Sequence, residues 1–345
     1  MEEPVQQLAS DNYAGVCPAV FNALHTVNPG CAPGYGEDPW TREACDKLRA
    51  YFECDCEIFF VFNGTAANAV SLAHICDPFH SVIAAETAHI ETDECGAPEF
   101  FSGGSKILTA AAPLGKLTPD AVDYFVDKRS DIHYPKPRVV TLTESTECGT
   151  VYTPDEIAAV TARAHRRGLV VHMDGSRFAN ALAHCEVTPA DLSWRAGVDV
   201  LALGGTKNGG MFGEALLFFR PGLAEDFNYR CKQSGQLASK MRYIAAQWLG
   251  VLTDDIFRIN ARHANAMASR LAANLADIPG VALKFPVEAN AVFAEIPLSA
   301  QQKLKSAGWR FYNFIGSGGV RLMTAWDTRP ETVDAFAADC RAAIS

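Results

Sequence analysis

The stretch LALGGTKNGGMFGEALLFF, Leu201 to Phe219, decides the fold. Two apolar runs flank a glycine-rich turn, Gly204-Gly205-Thr206, which presents a single lysine, Lys207, with Gly209 and Gly210 close behind. Glycine lets a backbone approach a partner closely or take positive φ. A lysine held between core strands is partly desolvated, which lowers its pKa and makes it a usable amine nucleophile. Covalent attachment of an aldehyde cofactor requires such an amine. Taken alone, the plainer reading is a loop lysine pointing to water.

A second stretch, LVVHMDGSRFAN from Leu169 to Asn180, changes that balance. Leu169, Val170 and Val171 read as a buried strand ending at Asp174, and Gly175 turns the chain into the next segment. Strand-end carboxylates of α/β folds lie on the edge where ligands bind. Pyridoxal phosphate needs an acid beside its ring nitrogen, because the protonated ring is the electron sink. Asp174, one strand before the glycine-flanked Lys207, makes that pair in the right order. The plain alternative for Asp174 is a helix N-cap before Ser176 and Arg177.

With 345 residues, 48 % of them hydrophobic, the chain can bury a large core, and two domains are expected. The net charge of −10 is spread along the sequence, which argues against a nucleic-acid partner. No apolar run reaches the roughly 20 residues of a membrane span. The opening MEEPVQQLAS is acidic and polar, unlike a secretory signal, so a cytoplasmic protein is expected. The 11 cysteines are odd in number and scattered from Cys17 to Cys340, and are expected to be reduced thiols. Cys54-Asp55-Cys56 lacks the spacing of a zinc site, and no metal is expected.

Along the chain, residues 1–15 read as a polar arm ending in Ser10-Asp11-Asn12-Tyr13. Pro18 to Leu24 predicts a short helix, 28–40 a Gly- and Pro-rich loop holding Tyr35, and Thr41 to Phe52 a helix. Glu57 to Phe62 reads as a strand, followed by Asn63-Gly64-Thr65 and a helix. Gly64 and Thr65 then sit at a helix N-terminus, a ready anion site; a simple Thr cap is the alternative. Val82 to Ala85 is a short strand leading to His89, either a satisfied histidine or a ring-stacking one. Glu94 to Ser105 is expected to be loop, and Thr118 to Asp127 a helix. Val139 to Thr143 is a strand ending in Glu144-Ser145-Thr146-Glu147, Thr153 to Arg166 a helix, and Val198 to Leu203 a strand. Alternation of this kind implies a mostly parallel sheet covered by helices on both faces. The run Arg230 to Arg242 is either a solvated helix face or a phosphate contact. Phe257 to Leu275 predicts a long amphipathic helix. Short strands at Val281–Phe285, Asn290–Ile296 and Gly316–Thr324, with a helix from Pro330, suggest a smaller α+β domain. The expected division is a large domain over 16–255 and a small one over 256–345, joined by the arm 1–15.

Six segments in order, NGTAAN at 63–68, AETAH at 85–89, ECGA at 94–97, HMDGSRFAN at 172–180, GGTKNG at 204–209 and VRLMTAW at 320–326, carry a resemblance. The chain resembles, over nearly its whole length, the threonine aldolase family of fold-type I pyridoxal-phosphate enzymes, of the low-specificity L-threonine or phenylserine type. The resemblance implies reversible cleavage of a β-hydroxy-α-amino acid to glycine and an aldehyde. It also implies a homotetramer, or at least a dimer, with sites at subunit interfaces. By the same resemblance Lys207 holds pyridoxal 5′-phosphate, Asp174 pairs with its ring nitrogen and His89 stacks on the ring. Gly64 and Thr65 bind the phosphate, with Thr206 a further candidate. Arg177 and Arg321 hold the substrate carboxylate, helped by Ser10, and Tyr35 projects into a neighbouring subunit's site.

One position departs from the family pattern. Many members carry histidine where this chain has Glu147, in ESTECGT. An ionised carboxylate accepts a hydroxyl proton but cannot donate one. Glu147 is therefore either a base for the β-hydroxyl, directly or through water, or an unrelated polar residue. Two other readings stand beside the aldolase. Another amino-acid enzyme of the same fold, an aminotransferase, racemase or β-eliminating lyase, keeps the cofactor and changes the reaction. A non-catalytic nucleotide-binding scaffold is disfavoured, because no G-x-G-x-x-G follows the first strand.

Overall fold

The apolar runs around Asp174 and Lys207 become the centre of one sheet. The computed structural model describes residues 6–314 and 319–344. Its large sheet contains β1 (Glu57–Val61), β2 (His80–Ala85), β3 (Lys106–Ala110), β4 (Lys136–Thr143), β5 (Val170–Gly175), β6 (Val200–Leu203) and β7 (Glu214–Phe218). The order is β1-β7-β6-β5-β4-β2-β3, and only β7 runs against its neighbours. Every residue of β2, β5, β6 and β7 is buried, as strands covered on both faces must be. Helix Gly64–Ile75 crosses one face with most of its surface buried, and helix Phe178–Cys185 packs against the long helix Ile256–Ala276.

This topology brings the carboxyl ends of β1, β2, β4, β5 and β6 to one edge. The loops that leave them carry Gly64, His89, Glu147, Arg177 and Lys207. The reversed strand β7 starts at the same edge with Glu214. Ligands of open α/β sheets bind in that crevice. Two of the loops touch backbone to backbone: a Cβ on Gly204 would lie 2.4 Å from the Ser176 carbonyl oxygen, so only glycine fits there.

A second, antiparallel sheet comprises β8 (Ala282–Leu283), β9 (Ala291–Glu295), β10 (Tyr312–Asn313) and β11 (Gly319–Met323), in the order β10-β11-β9-β8. It has its own apolar core with helices Leu298–Ser306 and Pro330–Ile344. The long helix serves both cores, giving Phe257 and Ala261 to the first and Ala268, Leu271 and Leu275 to the second. The N-terminal arm is more than a polar tail. Leu8 is fully buried in the small core, its amide bonds to the Arg310 carbonyl, and its carbonyl accepts from the Met323 amide, each at 2.8 Å. The arm is thereby strapped beside the strand that carries Arg321.

Several elements differ from the sequence reading. The 94–105 loop contains a helix, Ala97–Ser102, and β3 and helix Leu298–Ser306 were not anticipated. Pro39 and Trp40 belong to a helix rather than the loop, because Asp38 caps it through the Thr41 amide at 2.8 Å and Pro39 suits its first turn. The strand expected from Gly316 starts at Gly319, and residues 316–318 lie outside the described residues. No helix among the described residues is long and apolar enough to cross a membrane.

Candidate active site

Lys207 sits in a short 3₁₀ turn, Thr206–Asn208, gripped from three directions. The buried Glu214 carboxylate accepts from the Gly205 amide at 2.5 Å and from the Thr206 hydroxyl at 2.7 Å. Gln247, on helix Arg242–Leu252, accepts from the amides of Met211 and Phe212. Asn208 donates to the Phe257 carbonyl at 2.6 Å, and Asn260 donates to the Asn208 carbonyl at 2.9 Å. The backbone around Lys207 is thus fixed by side chains that make no hydrogen bond or salt bridge to its ammonium. Lys207 itself forms no hydrogen bond or salt bridge among the described residues. It lines both a cavity of about 890 Å³ and a smaller one of about 410 Å³.

The smaller cavity lies at the N-terminus of helix Gly64–Ile75. Asn63, not Thr65, caps this helix, accepting from the Ala66 amide at 2.8 Å. The amides of Gly64 and Thr65 and the Thr65 hydroxyl therefore stay without a partner among the described residues. Free amides at a helix N-terminus favour an anion. Ser176 and Thr206 line the same cavity, the latter with its hydroxyl turned to Glu214.

Asp174 is buried at the end of β5. One carboxylate oxygen accepts from the Ser176 amide and hydroxyl at 3.0 and 2.6 Å, and the other accepts from Asn68 at 2.9 Å. Burial opposes its ionisation, but the His89 charge, Ser176 and Lys207 outweigh burial and hold its pKa below the usual carboxylate range. His89 opens a short turn after β2, with Nδ1 2.8 Å from a Glu94 oxygen. Ligand atoms of His89, Glu94 and Asp174 lie within 4.8 Å of one another, a spacing compatible with a metal. Here the Asn68 amide, donating to both carboxylates, takes the bridging role. Beneath Asp174 on the same strand, His172 is buried beside Thr141, and burial pulls its pKa down to about 4, so it is neutral.

The larger cavity gathers Ser10, Glu147, Arg177, Lys207 and Arg321. Its two arginines are not equivalent. Arg177 is clasped by Asp11, Nε and Nη2 donating to the carboxylate at 2.8 and 3.0 Å, with both side chains buried. Burial alone would raise the Asp11 pKa, but Arg177 overrides it and keeps Asp11 ionised. Arg321 has no such partner: its Nε is buried without a hydrogen bond, and its guanidinium stacks over Tyr312 at 5.4 Å. Burial and the neighbouring Arg177 push the Arg321 pKa down more than Glu147 and Asp11 hold it up, and no carboxylate reaches the guanidinium in a salt bridge among the described residues. The pair of equal carboxylate clamps expected from the sequence becomes one committed arginine and one open one.

The profile of the β-eliminating lyase family matches residues 7–298. A low-specificity L-threonine aldolase of a Pseudomonas species is 56 % identical over 345 residues, the full length of both chains. That of Pseudomonas aeruginosa is 58 % identical over 341 residues, 99 % of each. The chain belongs to the threonine aldolase family. A threonine aldolase structure from Leishmania major superposes with a TM-score of 0.93 at 28 % identity, covering 99 % of this chain and 100 % of that one. The family fold, fold type I, accordingly accounts for the mostly parallel sheet and the small C-terminal one.

Within this family member, the sequence candidates fall into two groups. His89, Gly64, Thr65, Asp174, Thr206, Lys207, Ser10, Glu147, Arg177 and Arg321 line the two joined cavities or, for Asp174, lie directly beneath them. Ser10 is buried with its hydroxyl accepting from the Asn12 amide at 3.2 Å. Tyr35 is not brought there by its own chain. It is 53 % exposed, lines a separate cavity and lies under the Lys232 ammonium at 4.9 Å. Lys232 is thereby engaged with Tyr35, Arg230 with the Ala73 carbonyl and Arg242 with Trp40; none lines the Lys207 cavities. Sequence reasoning missed Asp11, Asn68, Glu94, Ser176 and Glu214 as site residues. All five stood inside quoted stretches, which was the one signal available.

Proposed function

We propose that the chain reversibly cleaves L-β-hydroxy-α-amino acids, such as threonine, allo-threonine or phenylserine, to glycine and an aldehyde, with pyridoxal 5′-phosphate as cofactor. The observation that carries this reading is Lys207, without a hydrogen bond or salt bridge among the described residues, sharing one cavity with Arg321 and acting electrostatically on the ionised Asp174. The residues fit the cofactor. Lys207 offers an amine for its aldehyde, and the free Gly64 and Thr65 amides with Ser176 suit its phosphate. Asp174 suits its ring nitrogen, and His89 suits its ring face. When bound, the cofactor supplies an electron sink for the cleavage.

The chain's own groups supply the rest. Arg321 binds the substrate carboxylate by its planar fork, with Ser10 and the Asp11-held Arg177 shaping that end of the cavity. This grip orients the Cα–Cβ bond, and orientation is worth large rate factors. Glu147, half-buried on the cavity wall, accepts the β-hydroxyl proton at its carboxylate, directly or through a water. Lys207 Nζ returns a proton to Cα, completing glycine. We further propose a cytoplasmic homotetramer, or at least a dimer, in which Tyr35 reaches the neighbour's cavity. Its exposure, away from its own chain's Lys207, supports that placement.

The test is the absorbance of the purified protein with pyridoxal phosphate, beside a Lys207→Ala variant, and product analysis with L-threonine. We expect a visible band that the variant lacks, and glycine with acetaldehyde from the wild type alone. From L-threonine, 2-oxobutanoate and ammonia without glycine would replace the retro-aldol by β-elimination, and 2-oxo-3-hydroxybutanoate without glycine would replace it by transamination. A protein that takes up no cofactor would sink the proposal.

A further inference from the structure

We propose that Glu94 is a positioning residue which, with Asn68, binds His89 and Asp174 into one hydrogen-bonded unit and fixes the His89 ring with its Nδ1 hydrogen donated to the Glu94 carboxylate. The functional part of this inference rests on the cofactor reading above; the network itself does not. One Glu94 oxygen receives both donors, His89 Nδ1 at 2.8 Å and Asn68 Nδ2 at 2.8 Å, while its other oxygen is buried without a partner. The Glu94 side chain is fully buried. Removing a carboxylate from water is unfavourable unless strong donors replace the hydration. A packing role would be met by an apolar side chain of the same size; the carboxylate is explained by what it holds.

The second link is Asn68. Its amide nitrogen has two hydrogens, and the geometry directs one to Glu94 and one to Asp174. It joins residues 26 and 106 positions away, one in the loop after β2 and one at the end of β5, and relieves the repulsion between their carboxylates. Burial raises the Glu94 pKa and the His89 and Asn68 contacts oppose it; the carboxylate they hold ionised only accepts, so Nδ1 of His89 carries the hydrogen. The ring orientation and tautomer are then set from below, by a group that touches neither cofactor nor substrate.

The charges facing His89 come from every element around it: Asp93 and Glu94 on its own loop, Asp174 on β5, Glu147 after β4, and the Lys207 cation. Burial alone would keep the ring neutral, and Lys207 acts the same way. Burial is the largest single influence, but the Glu94 contact together with Asp174 and Glu147 outweighs it and Lys207, and the His89 pKa is raised. When His89 is protonated, its charge against Glu94 and Asp174 leaves one net negative charge in the floor of the site. A protonated ring nitrogen above Asp174 would neutralise it, which ties Glu94 to cofactor retention as well as to ring orientation.

The experiment is ¹⁵N NMR of the histidine rings in the cofactor-free protein, with the His89 signals assigned by His89→Asn, on the wild type and on Glu94→Gln. We expect wild-type His89 as the Nδ1–H form, titrating above the ordinary histidine value. In Glu94→Gln its midpoint should fall by about one unit, a tenfold change in the protonation equilibrium. In the loaded enzyme, Glu94→Gln should release pyridoxal phosphate faster and lower kcat with little change in KM. A folded Glu94→Gln with an unchanged His89 midpoint overturns the proposal. If that variant does not fold, the wild type decides alone: an Nε2–H ring, or a midpoint at or below the ordinary value, overturns it. Failure to bind pyridoxal phosphate would sink the proposed function yet leave the network to be judged by the cofactor-free titration.

Discussion

Replacing Arg321 by methionine should move stability and activity in opposite directions. The side chain is half-buried on β11, its Nε has no hydrogen-bond partner, and the largest charge effect on it comes from the like-charged Arg177. A buried unsatisfied donor costs about 1–3 kcal/mol, more when charged. Against this stands the stacking over Tyr312, worth about 0.5–1 kcal/mol at such a site. Arg321→Met keeps the apolar stem and removes the charge, so the ligand-free protein should gain about 1 kcal/mol, or about 2 °C in Tm. Activity should respond the other way. A guanidinium fork on the substrate carboxylate makes two charge-assisted bonds, together worth about 3–4 kcal/mol after desolvation. At about 1.36 kcal/mol per decade, kcat/KM should fall roughly 200- to 900-fold. Differential scanning fluorimetry without substrate and a glycine-forming assay with L-threonine measure both. A lower Tm together with kcat/KM within about threefold of wild type would refute the reasoning, since neither the strain nor the carboxylate contact would then exist.

Two further outcomes test the neighbouring groups. Asp11→Ala strips the partner from the buried Arg177 and should destabilise the protein by about 3–5 kcal/mol in urea unfolding. Because the folded pKa of Asp11 is depressed, its contribution is complete above the unfolded value of 3.8 and is lost as pH falls through the folded one. The stability gap between wild type and variant should therefore hold at neutral pH and close only in strong acid. Glu147→Gln should lower kcat by about 10²- to 10⁴-fold, the range of a lost general base, with cofactor binding intact; a kcat close to wild type would place the base elsewhere.

Lys207 and Asp174 were legible because each ends a strong apolar run, and a charge at such a boundary has few places to go except the sheet edge. Gly64 and Thr65 were legible for the same reason at the end of β1. The residues that hold these groups were not. Asp11 and Arg177 are 166 positions apart, and nothing local in a polar arm says that one of its acids is buried. Asn68 lies on a helix of small residues and reads as a surface position until Glu94 and Asp174 close over it. Glu214 begins an apolar run and looks like its solvated end, whereas it is the anchor of the lysine turn. The failure has one physical source: a buried polar residue is made tolerable by partners that the fold, not the neighbouring sequence, supplies. Edge strand β3 escaped for a different reason: it is only five residues long, directly follows a Gly-rich loop, and its burial does not alternate regularly along the strand.

The same logic, run in reverse, locates the chemistry. Most charges buried around the two cavities already have partners: Arg177 has Asp11, Asp174 has Ser176 and Asn68, Glu94 has His89 and Asn68 at one oxygen, and Glu214 has the lysine turn. Three half-buried charged groups on the cavity wall have no hydrogen bond or salt bridge among the described residues: Lys207, Arg321 and Glu147. A folded chain retains an unpaired charge in such a place at a cost in stability, and the cost is justified only if a ligand completes the pair. The three differ in what they can complete. An amine suits an aldehyde, a guanidinium suits a carboxylate and a carboxylate suits a hydroxyl proton. A β-hydroxy-α-amino acid together with an aldehyde cofactor presents all three groups at once, whereas an amino acid lacking the hydroxyl would leave Glu147 unanswered. That remaining carboxylate is what makes carbon–carbon cleavage the reading that uses every unpaired charge in the site.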